Sequence, residues 1–136
     1  IASLAGASFA DESLCQPATL AVSVLQIHGT LDDTIEYDGG NTVVGRDYSY
    51  PSAQGSVELH AELAGCDVDA SEAGDALNVE NTIPGDETTT ITWSAGCAPG
   101  VDAALWTIVD GNHIPSINPE GTQLALEWLL RHDRTP

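Results

Sequence analysis

The sequence contains no lysine and no methionine. Its fixed positive charges are Arg46, Arg131 and Arg134, set against 21 acids in 136 residues, for a formal net charge of -18. That shortage excludes nucleic-acid partners, because gripping phosphates needs clusters of Lys and Arg. It also excludes attraction to an anionic membrane surface. No apolar run approaches the ~20 residues of a membrane-spanning helix, so no membrane partner is expected. There is no internal repeat and no low-complexity segment. The three cysteines, Cys15, Cys66 and Cys97, show no CxxC or Cys/His spacing, which excludes a structural zinc site. The opening residues do not have the pattern of a signal peptide. The chain opens in "IASLAGA", which reads as the middle of a strand, so a piece of a longer protein is expected.

What is present argues for a packed domain. Hydrophobic residues make up 42 %, too many for a disordered acidic tail, and the length suffices for one domain over residues 1–136. The acidic excess reads as a solvating surface. The stretch "DVDASEAGDALN" (67–78) resembles a calcium loop only faintly, and specific cation binding there is not expected. Glu72 stands where a calcium loop needs Gly, and Asn78 where it needs a bidentate Glu.

Periodicity gives alternating strands and helices. Residues 1–7 read as a short buried strand, and "LAVSVLQIH" (20–28) as a central parallel strand covered on both faces. "YDGGN" (37–41) is a turn cluster. In "SAQGSVELHAELAGC" (52–66), Val57, Ala61 and Ala64 share a helix face, and Gly65 offers a C-terminal cap. Residues 67–87 read as an acidic surface excursion, 88–96 as a β-rich stretch, and "AALWTIV" (103–109) as a second buried strand. A last helix is expected over 118–132, capped by Asn118 with Pro119 at its first position. Leu124, Ala125, Trp128 and Leu129 form its apolar stripe, and Glu127 and Arg131 stand at i,i+4. The pattern predicts an α/β fold with a mostly parallel sheet flanked by helices.

In such sheets, working residues collect just past the C-terminal ends of strands. "HGTLDD" follows the first long strand, and "DGNHIPS" follows the later one. An acid therefore precedes a histidine, each at a strand end. A carboxylate that accepts the Nδ1 proton of a histidine fixes its tautomer and stabilises its protonated form. That order matches the second half of an α/β-hydrolase, in which the nucleophilic serine comes earlier still.

Taken together, "VLQIHGTLDDTIEYDGG", a helix closing in "AGC", then "SAGC", then "VDGNHIPSINPEG" and a final helix resemble the C-terminal part of the polyhydroxybutyrate depolymerase and feruloyl esterase group of α/β-hydrolases. The resemblance covers nearly the whole chain. Its pattern HGxxDxx(V/I) implies Asp32 as the catalytic acid, with Ile35 as the apolar residue and Asp33 as a solvated neighbour. Its Gly-x-His implies His113 as the catalytic base. It implies a disulfide between Cys66 and Cys97, leaving Cys15 free or bonded elsewhere, and it implies a secreted or extracytoplasmic setting. The implied activity is carboxylic ester hydrolysis without a cofactor. Close alternatives are a peptidase or dienelactone-type hydrolase, and a non-catalytic binding module on a hydrolase half-fold.

The departures are as informative. No Gly-x-Ser-x-Gly occurs, and no oxyanion loop. Ser8 in "GASFA" is rejected as the nucleophile, because a polar loop with Cys15 and Pro17 follows it where a helix should start. His60 stands where the family carries a helix tryptophan. His28 is expected to brace the loop around Asp32, and His132 to sit at a helix end facing the dipole. Trp106 and Trp128 are expected in the core, with lining an acyl or aromatic pocket as the alternative. A metal site from His28, Asp32 and Asp33 is disfavoured, since the acids lie too close in sequence to converge with His28. The chain alone should lack activity. Its expected partners are an ester substrate and the N-terminal, serine-bearing half of the same hydrolase, or another copy covering an exposed sheet edge.

Overall fold

Residues 1–14, 20–41 and 48–132 are described by the computed structural model; Cys15, Arg46 and Arg134 fall outside them. In chain order the strands are β1 (Ala2–Leu4), β2 (Val24–Gly29), β3 (Glu72–Ala73), β4 (Thr88–Trp93) and β5 (Ala103–Ile108). Helix α1 (Ala53–Leu63) lies between β2 and β3, and α2 (Pro119–Arg131) follows β5. The sheet order is β1-β2-β5-β4-β3.

The two apolar runs form its centre. Every residue of β2 and of β5 is buried, as continuous apolar strands require when both faces are covered. They pair in parallel, Val24 opposite Ala103 through Gly29 opposite Ile108. Alternation sends Ala103 and Leu105 toward Val57, Ala61 and Trp93 on the α1 side. Leu25, Ile27, Trp106 and Ile108 face Val79 and Trp128 on the α2 side. Trp106 and Trp128 are thus core residues, as expected.

Several expectations need correction. The sheet is mixed rather than mostly parallel: β1, β2 and β5 run together, while β4 is antiparallel to β5 and β3 to β4. The link from Trp93 to Ala103 is too short for the crossover that a parallel pair needs. The first strand is not buried. It spans only Ala2–Leu4, with Leu4 47 % exposed and Ile1 before it 63 % exposed, because it forms the sheet edge. The first long strand starts at Val24, with Leu20 and Val22 exposed before it. The 67–87 segment is not wholly a surface excursion, since Val79, Glu80 and Glu87 are buried within it.

The helices follow their sequence signals. Ser52 caps α1 by accepting from the Gly55 amide at 3.0 Å, and Asn118 caps α2 by accepting from the Gly121 amide at 2.7 Å. Glu127 accepts from Gln123 at 2.7 Å instead of pairing with Arg131. His132 does sit at the helix end, with Nδ1 2.7 Å from the Trp128 carbonyl and Nε2 3.0 Å from the Asp102 carboxylate.

Cys66 and Cys97 are joined in a disulfide across 31 residues. Each follows a glycine with positive φ, Gly65 at +80° and Gly96 at +73°, where a side chain would strain the turn. The bridge ties the end of α1 to the end of β4 and closes the loop that carries Val79, Glu80 and Glu87. In the chain-entropy model a loop of this length is worth about 3–4 kcal/mol. Cys97→Ser is therefore expected to lower unfolding stability by about 3 kcal/mol, measured by urea denaturation. Reductant should have the same effect on the wild type and none on the variant. Free thiols at both positions in the non-reduced protein would contradict this.

Candidate active site

Both sequence-predicted residues stand beyond the C-terminal ends of the neighbouring parallel strands β2 and β5. The chain leaves β2 at Gly29, passes through a turn, and reaches Asp32. Gly29 is required there, because a Cβ would collide with the carbonyls of Gly111 and Asn112. The two strand-end loops therefore touch backbone to backbone. They are also bonded: the Leu31 amide donates to the Gly111 carbonyl at 2.8 Å, and the Asp110 amide to the Thr30 hydroxyl at 2.9 Å. Asp110 takes a left-handed conformation, φ 61°, to turn the chain out of β5.

This junction brings Asp32 and His113 together. His113 Nδ1 lies 2.9 Å from Asp32 Oδ2, inside the reach expected of a base and its orienting acid. Asp33 has no part in it, accepting only from the Thr34 hydroxyl at 3.3 Å. The Asp32 side chain is fully buried, and His113 is 32 % exposed. His113 Nε2 has no hydrogen-bond partner among the described residues. A carboxylate can only accept, so Nδ1 carries the proton and Nε2 of the neutral ring offers a lone pair.

Three donors converge on Asp32, and His28 stands beside them. Oδ1 accepts from the Thr34 and Ile35 amides at 2.9 and 2.8 Å, the local turn that aspartate favours. Oδ2 faces His113 and, at 3.0 Å, His28 Nε2. Burial alone would raise the Asp32 carboxyl. The His113 hydrogen bond and the two amides outweigh it and hold the group below its ordinary value.

His28 braces this loop, as the sequence suggested. Its Nε2 is 2.8 Å from the Ile35 carbonyl and 3.0 Å from Asp32, both acceptors, so Nε2 holds a proton. Nδ1 is then free to accept from the Gln26 amide at 3.0 Å. Gln26 also donates to the Gly6 carbonyl. A neutral buried histidine with every polar atom satisfied results. The Tyr37 ring meets His28 edge-on at 5.7 Å, and its hydroxyl bonds Thr107 at 2.8 Å. Gln26 escaped sequence reading, since nothing in an apolar run marks its one amide as a tautomer-setting donor.

Other candidates lie elsewhere. Ser8 is engaged by Ser56, whose hydroxyl accepts from its amide at 3.1 Å, and by His60 Nε2 at 3.4 Å. Burial holds His60 below its ordinary value. No cluster of three or more His, Cys, Asp or Glu side chains able to hold a metal ion occurs among the described residues. No described helix is long and apolar enough to cross a membrane. No protein-family model, curated protein or solved structure matches the chain.

Proposed function

We propose that this chain supplies the acid and the base of a serine-type carboxylic ester hydrolase, of the kind that the polyhydroxybutyrate depolymerase and feruloyl esterase resemblance implies. One observation carries the reading. His113 is fixed through Nδ1 by a buried carboxylate, while its Nε2 stays open and the ring reaches solvent. A histidine so held is suited to general-base work, since the carboxylate stabilises the imidazolium that forms on proton uptake.

The chemistry runs as follows. A serine hydroxyl gives its proton to His113 Nε2 while its oxygen attacks the ester carbonyl. The tetrahedral intermediate collapses, the C–O bond to the alcohol breaks, and His113 returns the proton to the departing alkoxide. Water, deprotonated by His113, then cleaves the acyl-enzyme and releases the carboxylic acid. Asp32 stays ionised throughout. The serine and the oxyanion donors come from polypeptide outside these residues, because the chain holds no Gly-x-Ser-x-Gly. The disulfide fits a secreted or extracytoplasmic setting.

The test is a longer polypeptide from the same gene that carries a Gly-x-Ser-x-Gly ahead of this sequence. It should hydrolyse a p-nitrophenyl ester, and His113→Ala should cut kcat by about six orders of magnitude. Absence of any such serine segment would favour the binding-module reading, and full activity in His113→Ala would show that His113 is not the base. Turnover of peptides or lactones in place of simple esters would favour the other α/β-hydrolase chemistries.

A further inference from the structure

His113 is held from two sides. Before it, the loop leans on Gly29, Thr30 and Leu31. After it, the chain runs through Pro115 and Ser116 into α2, and this stretch meets the 79–83 segment of the excursion. The Asn81 amide donates to the Ser116 carbonyl at 2.9 Å, and the Asn118 amide to the Val79 carbonyl at 2.8 Å. The central contact is a carboxylate. Glu80 Oε1 accepts from the Ser116 amide at 3.0 Å. Glu80 Oε2 accepts from the Thr82 amide at 2.5 Å, the Thr82 hydroxyl at 2.8 Å and the Ile83 amide at 2.8 Å.

A second buried acid sits behind the first. Glu87 Oε1 accepts from the amides of Val79 and Glu80, both at 2.9 Å, and from the Thr88 hydroxyl at 2.8 Å. Glu87 thus fixes the backbone from which Glu80 reaches the His113 loop. For both, burial works to raise the carboxyl, but the donors around each outweigh it and hold them below the ordinary value.

We propose that Glu80 is a positioning residue for His113: its carboxylate grips the Ser116 amide and so fixes the loop that presents the imidazole to Asp32. The proposal rests on the hydrolase reading for its purpose, but not for its geometry. It depends on charge type as well as shape. Both Glu80 oxygens face donors only. Glu80→Gln keeps the shape but turns one oxygen into an NH2 group, which donates and cannot accept. If the amide oxygen stays with Thr82 and Ile83, the new NH2 faces the Ser116 N–H and the grip on the loop is lost.

The experiment follows the His113 Nδ1 proton by NMR in folded protein labelled with 15N-histidine, alone or docked to a serine-bearing half. In the wild type this proton should give a far-downfield, slowly exchanging signal that Asp32→Asn removes. Glu80→Gln is expected to speed its exchange with water about tenfold or more, the scale of losing one charge-assisted hydrogen bond. Thr82→Val, which deletes only a local bond to Oε2, should leave the signal unchanged. Should Glu80→Gln fail to fold, Asn81→Ala loosens the same clasp from its exposed side, where Asn81 donates to the Ser116 hydroxyl at 3.1 Å, and is read identically. In an active assembly, Glu80→Gln should lower kcat about tenfold with KM unchanged. An unaltered Nδ1 signal in every folded variant would overturn the proposal. An altered signal in a protein that turns over no ester would uphold it and overturn the hydrolase reading instead.

Discussion

Asp32→Asn is expected to lower kcat by about four orders of magnitude in an enzyme assembled from this chain and a serine-bearing half. Asparagine can still accept from the Thr34 and Ile35 amides with its oxygen. Its NH2 then faces His113 Nδ1 and His28 Nε2, where Asp32 Oδ2 now stands. To accept from that NH2, His113 must move its proton to Nε2, the tautomer that cannot take one from a nucleophile. The loss should fall on kcat and leave KM nearly unchanged. Asp32→Ala should add an effect on stability, because it strands several buried donors at once, at a cost of about 3 kcal/mol or more. Equal loss of kcat in Asp33→Asn would move the acid to the neighbouring position.

The same bonds give the fold a pH dependence. The Asp32 carboxyl is held below the value that it has in the unfolded chain, so the unfolded state binds a proton first on acidification. Its contribution is complete above the unfolded carboxylate value and is lost as pH falls through the folded one. Glu80 and Glu87 act in the same direction. Against the wild type, Asp32→Asn should show a shallower fall of stability over that acid range.

What could be read from sequence here follows a physical divide. β2 and β5 were legible because an uninterrupted apolar run leaves a strand little choice but full burial. The meeting of Asp32 and His113 was legible because each follows the end of a buried strand, where reactive groups gather; the close approach of Gly29 to Gly111 was not. The direction of β4 was not, since strand pairing is decided by connection length and not by composition. Nor was the burial of Glu80 and Glu87. Among 21 acids in one chain, nothing local distinguishes a carboxylate that will be surrounded by amides from one that will face water. Only the fold, which brings residues 79–83 against Ser116, makes them different.

Blocking the outer edge of β1 should abolish assembly with the serine-bearing half. The Leu25 amide donates to the Ile1 carbonyl and the Ala5 amide to the Ile27 carbonyl, at 2.9 and 2.8 Å. In a parallel ladder the odd positions of β1 therefore face β2, and the amides of Ala2 and Leu4 point outward. Among the described residues no strand lies beyond them. An unpaired edge that carries the exposed side chains of Ile1 and Leu4 is a template for another strand. In the proposed enzyme that strand leads to the serine, which would bring the nucleophile to the strand ends beyond which Asp32 and His113 stand. Leu4→Pro removes the outward N–H and a leucine side chain while sparing the bonds to β2, a substitution that edge strands tolerate. One lost backbone hydrogen bond and one unburied leucine amount to about 2–4 kcal/mol, a weakening of about 30- to 1,000-fold. Light scattering should find the wild-type chain self-associated when alone and in a one-to-one complex with the serine-bearing half. It should find Leu4→Pro monomeric in both cases, with its melting temperature little changed. Ester turnover should appear only where the complex forms. A wild-type chain that stays a cooperatively folding monomer and ignores the serine-bearing half would remove the docking edge, and would raise the binding module above the esterase.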